Sequence, residues 1–290
     1  MPAPMIRAFF DEPTFTVTYL VWDPETRAAA IIDPVLDFDQ PSGAVRTASA
    51  DAVLAAAGAE GLSVHWILET HAHADHLSAA GYLKAKTGGK IGIGARIGEV
   101  QAIFRPRFGI APAEERFDLL LEDGAKVPLG GLEIEVIATP GHTPACVSYR
   151  IDDAVFVGDT LFMPDYGTAR ADFPGGDAGM LYRSIRRLLD LPGDTRLFMC
   201  HDYKAPGRDH FAWETTVAAQ RAGNVHVKDG VDEAAFVGMR EARDATLAVP
   251  RLILPSLQVN VEGGRLPDSG VGGLKRLALP LQLPDGYSEA

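Results

Sequence analysis

Apolar and polar positions along the chain switch between the strand period and the helix period. TFTVTYLVW (14–22) and AAAIID (28–33) read as β-strands joined by a turn at DPET, whereas ADAVLAAAGAE (50–60) is Ala-rich and helical. SVHWILET (63–70) is the next strand, and SAAGYLKAKTG (78–88) the next helix, closed by glycines suited to a left-handed cap. KIGIG (90–94) predicts a short strand; residues 101–122 carry no clear period. KVPLGGLEIEVIATP (126–140) predicts two strands around Gly130 and Gly131, and CVSYRIDDAVFVGDTLF (146–162) repeats the hairpin with Asp152 and Asp153 at the turn. MLYRSIRRLLDL (180–191) is an amphipathic helix, TRLFMC (195–200) a strand, and further helices are expected at 212–222 and 232–247. From Pro250 the chain is rich in Pro and Gly, and no element is predicted. Hairpins mixed with βα units point to the α/β (α+β) class, with sheets covered by helices and strand ends converging at one edge.

Composition narrows the setting. With 290 residues, 47% hydrophobic and 23% charged, the chain can bury a full core in one large domain or two small ones. No internal repeat, low-complexity block or linker forces a boundary. No apolar run approaches the ~18 residues of a membrane span. The opening MPAPMIRAFF, followed at once by DEP, is too short an apolar stretch for a secretory signal. We therefore expect a cytoplasmic protein with no membrane partner. A net charge of −12 counts against nucleic acid, which is bound through Lys and Arg. Cys146 and Cys200 are too few for a disulfide framework and are expected to be buried free thiols. Self-association into a homo-oligomer is left open.

The candidate chemistry sits at predicted strand ends. LETHAHADHLSAAG (68–81) puts His71, His73, Asp75 and His76 within six residues, directly after a strand. A turn leaving a strand can point such side chains into one space, and imidazole with carboxylate is the usual ligand set for zinc or non-haem iron. TPGHTP (139–144) places His142 after a strand, VGDTLF (157–162) places Asp159 after the next, and CHDY (200–203) adds His201. His65, His210 and His226 belong to no motif and are expected to be structural or exposed.

THAHADH, TPGHTP, GDTLF and HDY, in this order and spacing, resemble the metallo-β-lactamase fold superfamily over at least residues 8–222. The resemblance implies an αββα sandwich with the metal site at one edge of its two sheets. We expect a catalytic domain over residues 1–250 and a C-terminal extension, 251–290, packed on it. DPVLD (33–37), TPGHTPACVSY (139–149), GTARADFPGG (167–176), MLYRSI (180–185) and FMCHDY (198–203) are together similar to the persulfide dioxygenases of that superfamily, which oxidise glutathione persulfide with O2 to sulfite and glutathione. Glyoxalase II, the nearest hydrolase, is expected to carry a GHEY-type segment in place of CHDY and a GRFFEG-like one in place of TARADFPGG. The chain departs from the shorter animal-type dioxygenases at MPDYG (163–167) and after about residue 250.

The dioxygenase pattern implies one Fe(II) per chain, held by His71, His142 and Asp159, with open positions for water, O2 and a substrate sulfur. His73, Asp75, His76 and His201 would then surround the iron, orient its ligands and hold waters, with His76 and His201 contributing to catalysis. The alternative is a glyoxalase II-like zinc thioester hydrolase. There His73 would complete a first site, and Asp75, His76 and His201 would make a second, bridged by Asp159. Spacing alone leaves one or two metals open. A glutathione moiety would bring two carboxylates into an acidic protein, and Arg170, Lys204 and Arg208 are the expected basic patch, with Tyr166 and Tyr203 as neutral donors. Arg170 could instead pair with Asp172 and brace its loop; Arg183, Arg186 and Arg187 fit the solvated face of a helix.

Overall fold

In the computed structural model, which describes residues 3–109, 112, 115–281 and 283–284, two six-stranded sheets pack face to face between helices. The first half of the chain supplies β1 (Met5–Asp11), β2 (Thr16–Trp22), β3 (Ala28–Ile32), β4 (Val35–Asp39), β5 (Ala44–Arg46), α1 (Ala48–Ala59), β6 (Ser63–Leu68), β7 (Leu77–Ser78), α2 (Ala80–Thr87), β8 (Lys90–Gly94), α3 (Ile97–Phe108) and β9 (Leu119–Leu121). The second supplies β10 (Lys126–Leu129), β11 (Leu132–Ala138), β12 (Val147–Ile151), β13 (Ala154–Phe156), α4 (Ala178–Leu189), β14 (Arg196–Phe198), β15 (Glu214–Thr216), α5 (Val217–Gly223), α6 (Glu233–Asp244) and α7 (Ile253–Asn260). One sheet has the order β1-β2-β3-β6-β8-β9, the other β10 to β15 in sequence, and β5-β4-β7 form a small third sheet.

The two-residue period of the strands explains the layering. In β2, Val17, Tyr19 and Val21 face the space between the sheets, where they meet Ile134, Val136, Tyr149 and Phe156. Their neighbours Leu20 and Trp22 face outward, into a layer built by α1, α2 and α3. On the other side, Val155 and Leu197 turn outward onto Leu181, Ile185 and Leu188 of α4. Both faces of each central strand are therefore covered, which gives the αββα sandwich implied by the resemblance.

Several elements differ from the sequence reading. β1 lies along half-buried residues that carried no assignment, pairing antiparallel with β2 from Met5–Trp22 to Asp11–Thr16. The unassigned region 101–122 contains the rest of α3, which runs through Pro106 near its end, and β9. Where a helix was expected over 212–222, Glu214–Thr216 instead pairs with β14 as an edge strand, and Thr216 then caps α5 by accepting the Ala219 N–H. The tail forms α7, whose Leu257 and Val259 join the outer layer of the first sheet. Residues 282 and 285–290 of the expected extension lie outside the described residues. Among the described residues, no helix is long and apolar enough to cross a membrane. Cys146 and Cys200 are buried free thiols, and burial pushes the Cys146 pKa up to about 12.

Candidate metal centre

Four loops meet at one edge of the sandwich, each leaving the C-terminal end of a strand. The first follows β6 and carries His71, His73, Asp75 and His76; the others follow β11, β13 and β14 and carry His142, Asp159 and His201. β13 and β14 are parallel, and β11 runs with them because β12 is antiparallel to both β11 and β13, so all three loops leave the same edge. Two glycines set the approach. An added Cβ at Gly141 would lie 2.3 Å from the Leu181 backbone, so only glycine lets α4 pack directly beneath the His142 loop. At Gly158 it would lie 2.6 Å from Thr70 Oγ1, and φ is +53°, which brings the Asp159 backbone against the strand end that leads to His71.

Ligand atoms of His71, His142 and Asp159 all lie within 4.8 Å of one another, and so do those of His73, Asp75 and His76. Asp159 Oδ2 is 3.7 Å from His142 Nε2 and 4.0 Å from His71 Nε2, while its Oδ1 is 3.3 Å from His201 Nε2. His201 Nε2 is also 3.2 Å from Asp75 Oδ2. The structure thus brings together all seven residues picked from the sequence.

Each imidazole is anchored through one ring nitrogen, which leaves the other for the centre. His142 Nδ1 donates to the Arg170 carbonyl at 2.8 Å, and His201 Nδ1 to the Phe15 carbonyl at 3.2 Å. His71 Nδ1 lies 3.0 Å from Thr70 Oγ1, and His76 Nδ1 3.3 Å from Thr16 Oγ1. His73 is turned the other way round: its Nε2 meets Asp33 at 3.0 Å and Glu69 at 3.3 Å. Burial holds His71 and His76 below the ordinary histidine pKa, with neighbouring histidines adding to the effect, so both are neutral donors at pH 7. Burial acts the same way on His73, but Asp33 and Glu69 outweigh it and raise its pKa well above the ordinary value.

A bound metal fits this arrangement. His201 Nε2 lies close to Asp75 Oδ2 and Asp159 Oδ1 but not in hydrogen-bond geometry, and these three atoms, with His73 Nδ1 and His76 Nε2, are buried without a hydrogen bond. An unsatisfied buried polar atom costs about 1–3 kcal/mol, more for a charged one, so five such atoms on these meeting loops would be a heavy destabilisation unless bound cations satisfy them.

The model of the metallo-beta-lactamase superfamily matches residues 11–201. The chain belongs to this superfamily. A probable metallo-hydrolase of Burkholderia pseudomallei (strain 1710b) is 52% identical over 290 residues, 95% of this chain and 98% of the relative. Glyoxylase B2 of Dictyostelium discoideum is 44% identical over 95% of this chain and 96% of its own length. Persulfide dioxygenase ETHE1, mitochondrial, of Homo sapiens is 35% identical over 202 residues, 69% of this chain and 68% of the human protein. Among solved structures, ETHE1 from Myxococcus xanthus superposes with a TM-score of 0.74 at 31% identity, over 90% of this chain and 100% of its own.

In this superfamily member the centre opens into a cavity of about 210 Å³. Phe162, Tyr166 and Tyr203 form an aromatic wall, with Tyr166 and Tyr203 ring centres 5.3 Å apart, and burial raises the Tyr166 pKa so that its phenol stays protonated. A larger cavity of about 430 Å³ lies behind His76 and does not reach His71, His142 or Asp159.

The expected basic patch is placed differently. Arg170 lines the cavity, but its guanidinium is held by Asp172 at 2.5 and 2.7 Å and by the Ala248 carbonyl at 2.8 Å. Arg208 is held by Asp202 and Asp165 and lies outside the cavity wall, as does Lys204, whose Nζ sits 4.3 Å over the Phe211 ring. Arg243, not singled out from the sequence, is exposed at the cavity mouth and has no carboxylate partner among the described residues. Asp33 also escaped a role, although DPVLD was read as part of the resemblance: it accepts from Thr70 N at 2.7 Å and Thr70 Oγ1 at 2.9 Å, besides holding His73. Its signal was a lone aspartate closing an apolar strand. His65 and His210 are exposed, and His226 is half-buried against Thr168.

Proposed function

We propose that this chain is an iron-dependent persulfide dioxygenase that converts glutathione persulfide, O2 and water to sulfite and glutathione, with one Fe(II) held by His71, His142 and Asp159. The observation that carries the reading is the grouping of those two imidazoles and one carboxylate within 4.8 Å, a set suited to one face of Fe(II). The similarity to persulfide dioxygenase ETHE1 in sequence and fold supports it. Fe(II) held by such a set would supply open positions for a sulfur and for O2 and would pass electrons to O2 from the sulfane sulfur, which is oxidised to sulfite.

The protein's own groups do the rest. The Arg170 carbonyl fixes the His142 ring, and Asp33 and Glu69 fix that of His73. Asp75 and His201, 3.2 Å apart, offer a carboxylate and an imidazole for holding water beside the reacting sulfur. The aromatic wall lines one side of the cavity, and Arg243 at its mouth, without a carboxylate partner among the described residues, is a cation suited to a glutathione carboxylate. Holding both substrates in one geometry replaces a bimolecular encounter.

A zinc thioester hydrolase of glyoxalase II type is the second reading. It is favoured by the unpartnered Asp75 Oδ2, His76 Nε2 and His201 Nε2, which could complete a second metal site, and by the similarity to a probable metallo-hydrolase and to Glyoxylase B2. The two separate on metal content and oxygen uptake. Anaerobically purified protein is expected to carry about one iron per chain, and to consume O2 and form sulfite from glutathione persulfide. Two zincs per chain with hydrolysis of S-lactoylglutathione and no O2 uptake would overturn the first reading.

A further inference from the structure

Asn260 is the last residue of α7, 59 positions beyond the end of the superfamily match, and its side chain is buried against the ligand loop. Its Nδ2 donates to the carbonyls of His73 and His76, each at 2.8 Å, and its Oδ1 accepts the Ser78 N–H at 2.8 Å. The amide orientation follows from the partners, since the two carbonyls can only accept and the N–H can only donate. One side chain thus closes three backbone groups across six residues, four of irregular loop and the two of β7, and buried polar groups of such a loop need partners. Those six residues include His73, Asp75 and His76.

We propose that Asn260 is a positioning residue for the metal centre, and that the C-terminal helix, together with the sheets, sets the conformation of the ligand loop. The helix end is itself fixed from a second direction. Gln101 Nε2 of α3 donates to the Val261 carbonyl at 2.8 Å, and Arg116 pairs with Glu262. Asn260 is therefore held by the α3 side of the molecule while it grips the loop, and a displacement of α7 moves the backbone that carries three ligand-type side chains. This holds for iron or zinc and for either reaction.

Gln258 provides a matched comparison on the same helix. Its Nε2 donates to the Leu254 and Ala278 carbonyls at 2.7 and 2.9 Å, and its Oε1 accepts the Ala278 N–H at 2.7 Å. It makes as many hydrogen bonds as Asn260, but none to the loop. The experiment measures metal affinity by chelator competition, and thermal stability with and without metal, for Asn260→Leu, Asn260→Asp and Gln258→Ala. Asp keeps the acceptor for Ser78 and loses both donors, so it carries the test if Leu does not fold. The Asn260 variants are expected to bind metal about 10- to 100-fold more weakly, while Gln258→Ala loses stability and keeps wild-type affinity. Amide exchange on metal-free wild-type protein needs no variant: the Ser78 amide should exchange together with the amides of α7. Wild-type metal affinity in the Asn260 variants, an equal loss in Gln258→Ala, or Ser78 exchange more than about tenfold faster than α7 would each overturn the proposal.

Discussion

Asp33 Oδ1 lies 3.0 Å from His73 Nε2, with both side chains almost wholly buried, and this contact fixes the ring with Nδ1 on the side away from Asp33. Asp33 sits at φ +50°, a conformation that Asn also tolerates. Burial opposes its charge, but His73 and the Thr70 hydrogen bonds hold its pKa below the ordinary carboxylate value. Asp33→Ala would leave His73 with Glu69 as its remaining carboxylate and two Thr70 donors unmatched. We expect a loss of about 3–5 kcal/mol in stability, the usual result of breaking a buried pair from one side. Metal affinity should fall by about 10- to 100-fold. Asp33→Asn keeps the acceptor for Thr70 and should lose less of both. Urea denaturation and chelator competition on the two variants check this; wild-type metal affinity in Asp33→Ala would remove the role assigned to the contact.

On the proposed reading, replacing His71, His142 or Asp159 with Ala should abolish iron retention, because each would remove one of three ligands. His76→Ala should keep the iron and lose about 10- to 100-fold in activity. Metal analysis of the four purified variants distinguishes these outcomes. Complete metal loss from His76→Ala would favour the two-metal hydrolase.

Arg243→Ala should raise KM for glutathione persulfide about tenfold with kcat little changed, since a charge-assisted contact made equally in ground and transition states acts on binding alone. A persulfide without carboxylates should be indifferent to the change. Arg170→Ala should behave differently. Its guanidinium is tied to Asp172 and its carbonyl orients His142, so stability and kcat should fall together for charged and uncharged persulfides alike. Oxygen-electrode kinetics on two substrates test both, and equal losses on both substrates for Arg243→Ala would rule out carboxylate recognition there.

His226 links the cavity wall to pH. Its Nδ1 accepts the Thr168 N–H at 3.1 Å, and burial, with Arg240 and Arg243 nearby, lowers its pKa to about 4. The folded form therefore resists a proton that the unfolded chain takes up near pH 6.5, so stability from this group is full above that pH and is lost as pH falls toward 4. His226→Asn keeps an acceptor but cannot titrate. Denaturation midpoints between pH 7 and 4.5 should fall more steeply in the wild-type protein than in His226→Asn; parallel curves would show that His226 does not contribute.

The local order of the chain determined a good part of this molecule. Lys90–Gly94 forms the strand that its alternation predicts, and Asp152 takes the positive φ that its hairpin turn requires, because both depend on neighbours within a few residues. The candidate ligand residues were picked for the same reason: their loops follow apolar strands, and strand ends are where a sandwich exposes side chains at an edge. The tertiary structure decided what depends on distant partners. Glu214–Thr216 is a strand because β14 offers it an open edge, and the tail forms a helix because the outer layer of the first sheet buries its leucine and valine side chains. The balance of charge around the cavity also arose there. Arg208 and Arg170 are neutralised by carboxylates, leaving Arg243 without a carboxylate partner among the described residues, and Asn260 reaches a loop more than 180 residues earlier. Local pattern selects strands, helices and turns, but only packing brings remote groups within the few ångströms over which a hydrogen bond or an ion pair acts.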